Sequence, residues 1–236
     1  AGLTEWGADV LGMPMTKRTT ELAVREGHVS TLAWLLSRGV LLERNLHHDD
    51  YGPDYPCFWA AKAGHMSMLL YLRSLEPPCP WDKWTCAYAA LNGHLDVLQW
   101  ARSRPEPCPW DMMTCAWAAQ NGDLEMLQWT QSQREPCPWN EETCANAAQN
   151  GDLDMLQFAR SQSEPCPWDE RTCANAARYG QIEVLQWARS QPVPCPWDER
   201  TCANAARNGK PEILRWARSQ PVPCPWDEFI AIEAAS

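Results

Sequence analysis

One phrase returns through most of the chain at a fixed interval. It reads Cys-Pro-Trp-Asp, two variable residues, Thr-Cys-Ala, a Gly, then Leu-x-x-Leu-Gln-Trp-Ala-Arg, with small substitutions. Cys79, Cys108, Cys137, Cys166, Cys195 and Cys224 open successive copies 29 residues apart. A unit of that length cannot bury an apolar face alone, so the period specifies a stack in which each copy covers its neighbours. The repetition also supplies an internal comparison. Columns held constant should serve the packing every copy shares. Columns that drift are expected to be free of that requirement and to carry function.

The copy from Cys166 to Pro194 shows the local logic. Pro165 and Pro167 favour an extended entry. Asp169 stands where an N-cap belongs, and Glu170 adds negative charge at the positive end of the helix dipole. Cys173, Ala174, Ala176 and Ala177 form a small-residue helix that permits close approach. Gly180 suits the left-handed position that ends a helix. A second helix follows, with Ile182, Leu185 and Ala188 or Arg189 on one side and Trp187 on the flank. Pro192 and Pro194 stop it. The unit is helix, tight turn, helix, Pro-rich connection, and the predicted fold class is all-α.

The run Ala-Ala-x-x-Gly-x-Leu-Glu-x-Leu resembles the centre of an ankyrin repeat. Ala60-Ala61-Lys62-Ala63-Gly64-His65 and Ala89-Ala90-Leu91-Asn92-Gly93-His94-Leu95 carry the match. Cys173 and its equivalents then stand where that family places an inward Leu. The period here is 29 residues instead of 33, and Pro-x-Pro-Cys-Pro-Trp replaces the hairpin finger. The resemblance therefore implies an ankyrin-like solenoid of stacked helix-turn-helix repeats, with Pro-rich turns in place of long β-hairpins. It is to a short Cys-Pro-Trp-Asp variety of ankyrin-like repeats. The expected organisation is an N-terminal arm, 1–16, and a repeat array, 17–236. Its units fall at about 17–50, 51–78, 79–107, 108–136, 137–165, 166–194 and 195–223, and a half-repeat at 224–236 is read as a C-terminal cap.

Bulk properties narrow the function classes. A formal net charge of −10 argues against a nucleic-acid footprint, which needs clustered Lys and Arg. No apolar run reaches the roughly 18 residues of a membrane span, and no secretory signal is visible. The expected setting is intracellular and soluble, the cytoplasm by default, with an organelle as the alternative because Ala1 stands where a start Met would. The twelve Cys alternate at intervals of 7 and 22 residues, locked to the repeat. That spacing favours free, mostly buried thiols over a disulfide scaffold. No Cys-x2-Cys or Cys/His cluster has zinc spacing. His47-His48-Asp49-Asp50 is read as a solvated loop. The His after each turn Gly gives way to Asp123, Asp152, Gln181 and Lys210, so it is read as a polar helix start.

The constant aromatics, Trp81, Trp110, Trp139, Trp168, Trp197 and Trp226 with Trp34, Tyr71, Trp100, Trp129, Phe158, Trp187 and Trp216, are read as buried inter-repeat packing. Two columns drift. Three residues after the Thr, the series runs Leu22, Trp59, Tyr88, Trp117, then Asn146, Asn175 and Asn204. One residue before it, Arg18, Tyr55, Trp84 and Met113 give way to Glu142, Arg171 and Arg200. Two before it, Met112 becomes Glu141, Glu170 and Glu199. Positions that tolerate Asn, Glu and Arg should face solvent. Tyr55, Trp59, Trp84, Tyr88, Met112, Met113 and Trp117 are therefore the candidate partner-binding residues, forming an exposed aromatic stripe. Burying about 500 Å² of it would yield on the order of 12 kcal/mol gross, against roughly 4–15 kcal/mol for association. Ala1 to Met15, with Leu3, Trp6, Val10, Leu11, Met13 and Met15, is the competing cover.

These features lead to the expectation of a non-enzymatic protein–protein interaction scaffold whose partner is another protein. An accessory or linker subunit fixed in a large complex, organellar or membrane-associated, is a second form of it. A thiol-rich redox or metal-storage protein is the alternative of a different class. No nucleophile with a base and orienting group, no phosphate-binding Gly loop and no metal motif is visible, so no catalytic residue, cofactor or metal is expected.

Overall fold

A computed structural model describes residues 15–42, 46–47, 53–54 and 56–226. The chain divides into two compact bodies, Ala1–Trp110 and Asp111–Ser236. Among the described residues the first contains α1 (Lys17–Arg25), α2 (Val29–Ser37), α3 (Pro56–Lys62), α4 (Met66–Ser74), α5 (Lys83–Leu91) and α6 (Leu95–Arg102). The second contains α7 (Met112–Gln120), α8 (Leu124–Gln131), α9 (Glu141–Asn150), α10 (Leu153–Ser161), α11 (Glu170–Tyr179), α12 (Ile182–Ser190), α13 (Glu199–Arg207) and α14 (Pro211–Arg218). Each body is a stack of helix-turn-helix copies, as the period requires. The long connection after α2 adds a two-residue antiparallel ladder, β1 (Leu46–His47) with β2 (Pro53–Asp54), where the sequence had suggested only a loop. Most of the N-terminal arm and of the proposed C-terminal cap, 1–14 and 227–236, lies outside the described residues.

The boundaries follow from the residues that carry them. Asp82, Asp111, Asn140, Asp169 and Asp198 each accept a hydrogen bond from the backbone N–H two residues on, at 3.0, 3.0, 3.2, 3.0 and 3.1 Å. The Asp of Cys-Pro-Trp-Asp is thus the N-cap of every first helix it precedes. Gly180 ends α11 at φ 84°, a conformation that only Gly adopts without strain. The residues after the turn, His28 through Lys210, are the N-caps of the second helices, and the shorter Asp123 and Asp152 bond the N–H of Met126 and Met155 directly.

The core is small-residue and aliphatic. In the copy of α11 and α12 it comprises Cys173, Ala174, Ala176 and Ala177 from the first helix and Val184, Leu185 and Ala188 from the second. First helices pack chiefly on first helices, α9 on α11 and α11 on α13, because Ala and Cys bring the backbones close. The constant aromatics are not in this core. Each is half-buried, which corrects the expectation of buried rings. They form an outer seam in which Trp81 meets Trp100, Trp168 meets Trp187 and Trp197 meets Trp216 edge to face, with centroids 5.8, 5.9 and 6.0 Å apart.

A conserved element of the repeated phrase, its closing Arg, ties this seam together. Arg73, Arg102, Arg160 and Arg189 lie 4.1, 4.0, 4.1 and 4.1 Å over Trp81, Trp110, Trp168 and Trp197 of the next copy. The same four guanidiniums donate to the carbonyls of Cys79, Cys108, Cys166 and Cys195 at 2.6, 2.7, 2.6 and 2.6 Å. All twelve Cys are buried thiols. They associate as six pairs spaced 22 residues apart. In five of them the first-helix sulfur donates to the carbonyl of the following Cys, at 3.7 Å for Cys57, Cys86 and Cys115 and 3.9 Å for Cys144 and Cys173. The Cys-Pro-Trp sulfur donates back to the preceding cap residue, as Cys195 does to the Asp169 carbonyl at 3.4 Å.

Candidate functional site

The three-after-Thr column is where the chain changes character, and the two bodies use it differently. In the second body Asn146, Asn175 and Asn204 donate from Nδ2 to the carbonyls of Ala116, Ala145 and Ala174, one copy back, at 2.9, 3.2 and 3.1 Å. This corrects the premise that a drifting column is free of packing duty. The Asn are a bonding ladder between copies and are themselves half-buried.

In the first body the same slot holds Trp59 and Tyr88, also half-buried. Arg25 of the preceding copy lies 3.6 Å over the Trp59 ring and pairs with Glu21 at 2.7 Å. Phe58 meets Trp59 edge to face at 4.9 Å and Tyr88 at 4.6 Å. Lys62 sits 5.1 Å from both the Trp59 and Tyr88 rings. Trp84 packs at 6.4 Å from Tyr88 and carries Lys83 at 5.2 Å. The aromatic set is therefore half-buried and lined with cations, where the sequence suggests an exposed stripe. Aromatic rings stack on the preceding copy where the later copies use an amide bond. Arg25, Phe58 and Lys62 belong to the same cluster and went unread in the sequence; the +4 spacing of Lys62 from Phe58 on α3 was the available signal.

The Trp59 indole N–H and the Arg25 Nε are buried without an acceptor. The cleft beside them, between α1 and α3, holds about 10 Å³, room for about one water and no more. In the second body Met112 is exposed, while Met113 and Trp117 are half-buried. Tyr55 lies outside the described residues. The one-before-Thr column has a local role in later copies: Arg171 and Arg200 pair with Asp169 and Asp198 at 2.7 Å, and Arg200 reaches Glu170 at 3.1 Å. Such exposed pairs contribute little to stability.

Among the described residues no three His, Cys, Asp or Glu side chains group as metal ligands, and no helix is long and apolar enough to cross a membrane. Six thiols are held above their ordinary range. Hydrogen bonding to the paired Cys, then burial, raises Cys57, Cys144 and Cys173; burial leads for Cys108 and Cys137, and pairing with Cys202 for Cys224. Set against models of known protein families the chain matches none, and no curated protein matches it in sequence.

Proposed function

We propose that the chain is a non-enzymatic scaffold of ankyrin-like repeats that binds another protein through its aromatic-bearing copies. The contacts are Trp59, Trp84 and Tyr88 in the first body and Met112, Met113 and Trp117 in the second, with Tyr55 continuing the series in sequence. One observation carries the reading. Three copies fill the column with Asn and complete their fold by a backbone bond. Three others fill it with large rings whose outer faces stay partly open to solvent. Side chains beyond what the stack requires, of the types that dominate interface energies, fit recognition of a partner. Because the rings are already half covered, the area on offer is modest, and affinity depends on the polar and cationic rim as well.

The test replaces Trp59, Tyr88 and Trp117 together by Asn. Wild type and variant are cross-linked in extract from the native source, and captured proteins are quantified beside thermal melts. Selective loss of a partner held at fixed stoichiometry by wild type, with the melt retained, supports the proposal. Loss of cooperative unfolding with capture unchanged refutes it.

A further inference from the structure

One copy departs from the others at two adjacent positions. Four regular copies end the second helix in Ala101-Arg102, Ala159-Arg160, Ala188-Arg189 and Ala217-Arg218, and the two N-terminal ones in Leu35-Leu36 and Leu72-Arg73, but α8 has Thr130-Gln131. Both side chains reach the same sulfur. Cys115 Sγ lies 3.6 Å from Thr130 Oγ1, and Gln131 Nε2 donates to it at 3.5 Å. Thr130 donates its hydroxyl proton to the Leu127 carbonyl at 2.8 Å, a bond it can exchange for a sulfur anion by rotating about one torsion. In the copies that carry Ala and Arg, the Ala has no donor and the guanidinium donates to the carbonyl of the paired Cys.

Both sulfurs are buried, and the space beside Gln131 reaches the pair on the Cys137 side. Gln131 keeps the bond to the Cys137 carbonyl, at 2.8 Å, but has no guanidinium plane to lay over the following Trp. Among the described residues no cation covers Trp139. A groove of about 570 Å³ opens there, lined in part by Gln131, Cys137, Pro138 and Trp139. We propose that Cys115 and Cys137 form a peroxide-responsive dithiol, the pair that closes to a disulfide while the chain is folded, with this groove as the route in for a small hydroperoxide.

The chemistry balances with hydrogen peroxide as oxidant. The Cys115 thiolate attacks one peroxide oxygen, the O–O bond breaks, and the departing hydroxide takes up a proton to leave as water. Cys115 is then a sulfenic acid. Cys137 attacks that sulfur, the S–O bond breaks, a second water leaves and the S–S bond forms. Two thiols lose two electrons and two protons, and the peroxide becomes two waters. The electrostatics agree with the geometry. The Cys115 thiol is lowered by the hydrogen bond from Cys137, against burial, with Thr130 and Gln131 adding to the effect. Cys57, Cys144 and Cys173 are held high instead. Cys202 is also lowered, by Cys224 and Arg218, but has neither the hydroxyl nor the amide.

The array supplies its own controls. The reduced full-length chain is titrated with hydrogen peroxide, quenched with an alkylating agent, digested and mapped by mass spectrometry. The Cys115–Cys137 disulfide is expected to form first and faster than any other pair, because its attacking sulfur has a hydroxyl and an amide within 3.6 Å. Thr130→Ala with Gln131→Arg brings its rate down to that of the others, with the far-UV spectrum unchanged. The reciprocal graft, Ala159→Thr with Arg160→Gln, raises the rate of Cys144–Cys166. Even oxidation of all six pairs, earlier oxidation of Cys202–Cys224, or a Cys115 rate that rises only with unfolding in urea overturns the proposal. If the first double variant does not fold, the wild-type map and the graft decide.

Discussion

The clearest quantitative prediction concerns Arg189. Its guanidinium donates to the Cys195 carbonyl at 2.6 Å and lies 4.1 Å over Trp197, in a part-buried position. A hydrogen bond to a charged group contributes about 1.5–3 kcal/mol, and the ring contact about 0.5–1 kcal/mol. Arg189→Ala removes both. The Cys195 carbonyl is left with the Cys173 thiol at 3.9 Å as its side-chain donor, so the expected loss is about 2–4 kcal/mol. Arg189→Gln is a different perturbation, and the chain already contains its outcome. Gln131 makes the same bond at 2.8 Å in its own copy. The Gln variant should therefore lose the charge and the stacking but keep the bond, costing about 1–2 kcal/mol. Urea titrations followed by Trp fluorescence and by far-UV circular dichroism measure the difference. Both probes are needed, since repeat arrays can unfold in more than one step. If Gln proves as damaging as Ala, the carbonyl bond does not support the turn. If both variants stay within 0.5 kcal/mol of wild type, a threshold about that of ordinary surface changes, the arginine seam is ornamental.

Alkali should loosen the array. Thiols raised in the folded state, Cys57, Cys108, Cys137, Cys144, Cys173 and Cys224, stay protonated where the unfolded chain ionises near about pH 8.5. The unfolded state then holds fewer protons, so stability falls as pH rises from there, by up to about 1.4 kcal/mol per pH unit for each such thiol. Cys115 and Cys202 shift the other way and offset part of it; a flat melting temperature from pH 8 to 10 contradicts the burial of these groups. Gly151→Ala should cost about 1–2 kcal/mol, because φ there is 76° and a Cβ would fall 2.5 Å from Gln181 Oε1. Adding Gln181→Ala should return only the steric share, which a double-mutant cycle in the same denaturation assay resolves.

Much of the fold was legible in the repeated phrase because local chemistry fixes it. Asp169 caps, Gly180 terminates and Cys173 points inward, and each of these needs only its neighbours in sequence. What escaped was the part that depends on a backbone group 30 residues away. Asn146, Asn175 and Asn204 looked like solvent-tolerant polar residues, yet their acceptors are carbonyls, which leave no mark in a sequence. Their strict identity was the available signal: a merely exposed site would also have drawn Ser, Gln or Lys. The Trp columns were read as buried inter-repeat packing because they hold through every regular copy. In the structure the Arg of the preceding copy shares their faces, so they settle at half burial instead. The Thr130-Gln131 substitution was visible from the start, but its meaning required knowing that both side chains meet at Cys115.

The thiol–carbonyl, arginine–carbonyl and amide–carbonyl bonds of the second body all join a copy to the next one along, at offsets set by the period. Such a register is indifferent to copy number. Slippage or unequal exchange that drops or duplicates 29 codons in this stretch rejoins every severed donor to an equivalent acceptor. Selection is thereby given a chain whose length can change in whole steps while each junction keeps its chemistry.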